Sequence, residues 1–172
     1  MSAESPVAVD AWRMVSARRV LEGELPLAEL PRLSSLLNDA EGSARYRIEF
    51  GRDALDVPFA KLLIEAGLPL VCQRSLQPFI EPVTIDQTLG LIRDEAGEAA
   101  LPPGYEALLV PEDGRILAAE LVEDELILAV PVIPVAPGSE SVERDWPVSE
   151  DEEAAANPFA ALSALKSGDN KN

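Results

Sequence analysis

Histidine is absent from the 172 residues, and cysteine occurs once, at position 72. The first absence removes imidazole general acid–base chemistry and any Ser-His-Asp triad. The second excludes an intrachain disulfide, and the two together leave no ordinary zinc ligand set. Basic residues are scarce: 14 Lys and Arg stand against 31 Asp and Glu, a formal charge of −17. Proteins that coat phosphates carry the opposite balance, because releasing counterions supplies most of their affinity. Long apolar runs are missing too. The longest, Leu126 to Ala136, has 11 residues and contains Pro131 and Pro134, whereas a spanning helix needs about 20. Charges scattered through the first 25 residues leave no export-signal core. The expectation is a soluble, cytoplasmic protein with no membrane partner. No Gly-rich phosphate loop, G-x-S-x-G or paired metal-ligand motif occurs. Nothing supports an enzyme, and neither cofactor nor metal ion is expected.

What is present suffices for a core, since 47 % of the residues are hydrophobic. Residues 1–93 hold 13 acidic and 10 basic residues, whereas 94–172 hold 18 and 4. Nearly all the surplus negative charge therefore lies in the second part. Arg19 to Leu25 reads as a short strand bounded by Pro26. Leu27, Leu30, Leu33, Leu36 and Leu37 recur at helical steps, predicting a helix that starts near Pro31 and ends before Gly42. Tyr46, Ile48 and Phe50 alternate with Arg45, Arg47 and Glu49, predicting a half-buried strand. Two longer strands, 60–71 and 76–93, are joined through Cys72 to Ser75. Asp94 to Gly104 reads as a loop. Leu117 to Val130 reads as a helix with Leu117, Leu121 and Val122 inward and Glu120, Glu123 and Asp124 outward. The sum is α+β, a mostly antiparallel sheet with a few packed helices. One domain spans 1–136, an acidic flexible linker 137–156, and a short C-terminal helix with a polar end 157–172.

Four segments carry candidate chemistry. Cys72-Gln73-Arg74-Ser75 has a hydroxyl where a C-x-x-C turn has its second thiolate, so the Cys is a packing residue in a strand–turn–strand connection. Glu120, Glu123, Asp124 and Glu125 form either a solvated helix face, a hard-cation site, or a surface that receives a partner's basic side chains. The arginines at 13, 18, 19, 32, 45, 47 and 52 are where RNA contact would fall, with Arg74 beside them, because guanidinium forks suit phosphate. Tyr46 and Phe50, however, alternate with arginine and so face the core rather than a base. Asn157 and Pro158 open a helix whose Phe159, Leu162 and Leu165 line one face. After an acidic tether, that apolar face docks either on its own domain or in a partner's groove.

Three stretches, taken in order, resemble the bacterial YceD family of large ribosomal RNA subunit accumulation proteins. They are Cys72-Gln73-Arg74 with Pro78-Phe79, Leu121 through Val135, and Asn157 through Lys166. The resemblance implies a role in synthesis, processing or accumulation of large-subunit (23S) ribosomal RNA. It also implies a metal site in many relatives, built from C-x-x-C and a later His and Cys. The corresponding positions here are Cys72, Ser75, Ala136 and Ser141, so the resemblance implies no metal in this chain. Together with the charge, it points to a non-enzymatic factor that binds a basic ribosomal or assembly protein. The site is then Glu120, Glu123, Asp124, Glu125, Asn157, Pro158, Phe159 and Leu162. The alternative is direct binding of rRNA or its precursor through Arg45, Arg47, Arg52 and Arg74.

Overall fold

The computed structural model describes residues 8–139. Five strands form one sheet in the order β2-β3-β4-β5-β6: β2 (Val20–Pro26), β3 (Ser43–Arg52), β4 (Pro58–Val71), β5 (Pro78–Ile92) and β6 (Glu106–Leu109). The first four pair antiparallel, and β6 lies parallel to β5. A separate antiparallel pair joins β1 (Ala8–Asp10) to β7 (Arg115–Leu117). The α+β, mostly antiparallel expectation is what the chain adopts.

Alternation built the sheet. Ala44, Ile48 and Phe50 on β3 and Ala60, Leu62, Ile64, Leu68 and Leu70 on β4 are buried on one face. Against that face pack Ala11 and Val15 of α1 (Ala11–Ser16), then Leu27, Leu30 and Leu33, then Leu121, Val122 and Leu126 of α3 (Ala118–Ala129). Pro69 sits inside β4 without breaking the ladder, because it faces the edge that β3 leaves at Ala66 rather than β5, with which β4 stays paired through Val71. Its carbonyl instead accepts the Asn38 N–H at 2.8 Å. That bond ties the segment after Pro31 to the sheet.

The helix expected over Leu27 to Leu37 is broken. A 3₁₀ turn covers Leu27–Glu29, and α2 is a single turn, Pro31–Ser34. Leu30, before a proline, is held outside the helical region at φ −109°, ψ 83°. Ser34 and Ser35 hydroxyls donate to the carbonyls of Pro31 and Arg32 at 3.1 and 2.7 Å. Such local bonds compete with helix propagation. The stretch after Asp94 is likewise not plain loop but a 3₁₀ segment, Glu95–Ala100, capped by the Asp94 side chain. Among the described residues no helix is long and apolar enough to cross a membrane.

Candidate functional site

The acidic segment of α3 does not form one face. At 100° per residue, Glu123 falls on the flank of the helix beside Val122 and Leu126, and α2 closes over that flank. Glu123 is only 4 % exposed. Its carboxylate accepts the Arg32 N–H at 2.7 Å, the Leu33 N–H at 3.2 Å and Arg32 Nε at 2.9 Å. The outward orientation expected for Glu123 is therefore corrected. It caps the first turn of α2 from 90 residues away, satisfying N–H groups that no local side chain reaches. Burial pushes its pKa up, but the Leu33 N–H, the Arg32 side chain and N–H, and the Arg32 charge pull it below the ordinary carboxylate value.

The other three carboxylates separate. Asp124 is exposed and meets Arg32 Nη1 at 2.6 Å. Glu120 is exposed one turn earlier. Glu125 turns to the opposite flank, where burial, Glu106 and Asp124 together raise its pKa. Glu120 and Asp124 join Glu29, Arg32 and Leu117 around a hollow of about 530 Å³. Neither Glu29 nor Glu120 has a cationic partner among the described residues. Nothing in the sequence pattern announces Arg32 and Glu29 as members of this site. They reach it only because α2 packs on α3.

Of the arginines of the alternative reading, Arg45 and Arg47 lie on the solvent face of β3, while Arg52, two residues past Phe50, ends the strand at the edge of the opposite face. Arg45 is bridged to Glu65 at 2.7 Å, and Arg47 to Glu49 at 2.7 Å and to Glu22. Arg52 reaches Asp56 at 3.3 Å and also donates to its carbonyl at 2.7 Å. Lys61, one strand over, meets Asp86 at 3.2 Å. Arg74 lies in the exposed β4–β5 connection. At ~3.3 Å per residue, the length of β4 separates that turn from the Arg52 end by roughly 40 Å. The four arginines thus form no single cluster. Tyr46 and Phe50 point to the core side, as the alternation predicts.

The Cys72 turn packs against the chain that follows α3. Cys72 is buried, and its sulfur accepts the Ser75 N–H at 3.4 Å and the Ala136 N–H at 3.3 Å, with Ser139 Oγ at 3.5 Å. The Ser75 side chain and N–H, then Ala136 and Ser139, outweigh burial and bring the thiol pKa down to about 6. Positions 72, 75 and 136, named above from the resemblance, therefore converge on the Cys72 sulfur, while Ser141 is outside the described residues. The donor set does not fit a metal ion: one sulfur is met by N–H groups and hydroxyls, with no imidazole and no second thiol. Among the described residues no three His, Cys, Asp or Glu side chains gather as a metal-holding group. Asn157, Pro158, Phe159 and Leu162 also fall outside the described residues, as does the acidic stretch 140–156.

Comparison with known proteins accounts for these segments together. A family model described as the large ribosomal RNA subunit accumulation protein YceD matches residues 60–166. That span runs from β4 through α3 to the last apolar segment. The chain belongs to the YceD family. A Haemophilus influenzae protein named large ribosomal RNA subunit accumulation protein YceD is 28 % identical over 166 residues, covering 94 % of this chain and 95 % of its own. No solved structure matches the chain.

Proposed function

We propose that this YceD family chain supports the synthesis, processing or accumulation of large-subunit ribosomal RNA without catalysis, by holding a basic ribosomal or assembly protein against its acidic surface. The family supplies the process. The observation that carries the mechanism is an asymmetry of pairing. Residues 8–139 hold 22 Asp and Glu against 11 Lys and Arg. Five of those cations, Arg32, Arg45, Arg47, Arg52 and Lys61, already lie in ion pairs. RNA phosphate would have to displace carboxylates from Arg45, Arg47 and Arg52. Arg13, Arg18, Arg19, Arg93 and Arg115 lie in no ion pair among the described residues. The 15 carboxylates outside the ion pairs, Glu29 and Glu120 among them, nevertheless outnumber them and favour a cationic protein. In this reading residues 1–136 are the binding domain, 137–156 an acidic linker, and 157–172 a second point of contact, all working in the cytoplasm. Asp124 and Glu125 add to the anionic field. Glu123 contributes by fixing Arg32.

The test is a capture experiment with the full chain against purified large-subunit ribosomal proteins and, separately, against 23S rRNA fragments. The expected result is retention of a basic protein that fades with added salt and with Glu120→Lys, and no retention of RNA. Tight rRNA retention abolished by Arg45→Ala with Arg47→Ala, and no basic protein held, overturns it.

A further inference from the structure

Beyond the acidic hollow, the segments that follow α2 and α3 line a second hollow. Residues one helical repeat apart on α3 (Glu120, then Asp124 and Ile127), followed by Val130 just past its end, pass from anionic to apolar. On the α2 side the same change occurs, from Glu29 and Arg32 to Leu36 and Leu37. The far half is a second groove of about 430 Å³, lined by Leu36, Leu37, Val71, Ile127, Val130 and Val132 among others. Its rim is solvent-exposed: Leu36 is 49 % and Val132 99 % accessible. Leaving such side chains in water is unfavourable, and an apolar partner side chain seated between them would cover them.

We propose that the two halves form one peptide groove, in which the apolar half seats apolar side chains of the basic partner while Glu29 and Glu120 hold a lysine or arginine of the same segment. Glu120 and Val130 are ten residues apart, about 15 Å along the helix axis. A partner segment therefore spans the groove with four or five extended residues, or with about ten helical ones. Charge decides the occupant. A second copy of this chain brings 22 carboxylates against 11 cations over residues 8–139, so net like-charge repulsion disfavours a homodimer and a cationic protein fits the acidic half better. The acidic end steers and orients. The apolar half slows dissociation, since rim charges act mainly on association. This inference rests on the acidic-surface reading above and adds to it an apolar anchor.

The full chain and three variants are tested for capture of purified large-subunit ribosomal proteins. The variants are Leu36→Ser with Val132→Ser, Glu120→Lys, and Leu128→Ser. Leu128 is 75 % exposed on α3 but lies outside the groove, so it controls for loss of surface apolarity. All these positions are exposed, and unchanged circular dichroism checks folding. Affinity falls about tenfold in the first two and is unchanged in the third. If the unmodified chain holds no basic protein, the reading above fails and this inference fails with it. If Glu120→Lys weakens capture while Leu36→Ser with Val132→Ser does not, that reading stands and the groove is overturned. Sedimentation showing a dimer that dissociates in the double variant assigns the groove to a second copy and overturns it. So does a tenfold gain in capture on deleting residues 157–166, which would name the chain's own segment as occupant.

Discussion

Glu123 does for α2 what a neighbouring Ser or Asp does for most short helices. A one-turn helix is not stable by itself, so a cap from α3 locks the two elements together. Replacing Glu123 with Ala leaves the buried Leu33 N–H and the part-buried Arg32 N–H without an acceptor and should cost about 2 kcal/mol in urea denaturation. Asp124→Ala, at an exposed pair, should cost far less. The pH dependence has a definite sign. A carboxyl whose folded pKa lies below 4.5 stabilises the fold fully above that value. The stabilisation is lost as pH falls through the folded pKa. Wild-type stability should therefore drop more steeply below pH 4.5 than that of Glu123→Gln; parallel acid limbs would refute this. At Cys72 the prediction concerns composition. With one sulfur already bonded to backbone N–H groups, elemental analysis should find no stoichiometric zinc, and the thiolate absorbance should titrate near 6.

Most elements whose side chains alternate or recur over many residues were legible in the sequence, the broken Leu27–Leu37 helix being the exception. The strand expected over 60–71 is β4 at Pro58–Val71, and the helix over 117–130 is α3 at Ala118–Ala129. The three-residue strands β1 and β7 were not, because what defines them is each other: Ala8 pairs with Leu117, far along the chain. The α2–α3 groove was hidden for the same reason, and the solvated look of Glu123 concealed its burial until α2 was in place. A finer mark is Gly23. Opposite it on β3 stands Tyr46, whose ring lies where a β-carbon would project, with ring carbons 2.9 Å away. The aromatic ring covers the glycine, a known remedy for a bare strand position. Gly23→Ala should destabilise the β2–β3 pair by about 1–2 kcal/mol through overpacking. Tyr46→Ala should remove most of that penalty when combined with it. If the two substitutions simply add in thermal unfolding, the ring does not constrain this site.

At the scale of the whole molecule, surplus carboxylate acts on folding and on association in opposite directions. Self-repulsion among the described residues, 22 acidic against 11 basic, opposes the compact state, while the paired charges across β2, β3, β4 and β5 favour it. Exposed pairs are worth only about 0–1 kcal/mol each. Repulsion grows with the square of the net charge, so repulsion wins. Added salt shortens the screening length to about 8 Å at physiological strength and weakens both effects. The larger one decides the outcome. Relieving about 1 kcal/mol of repulsion raises the unfolding midpoint by about 2–4 °C in a chain of this size. The same salt should weaken capture of a basic partner, whose attraction it screens. Calorimetry and capture measured along one salt series therefore diverge: stability climbs while binding falls. A midpoint that declines together with binding would mean that the ion-paired sheet face, rather than the charge excess, governs how this chain responds to its ionic surroundings.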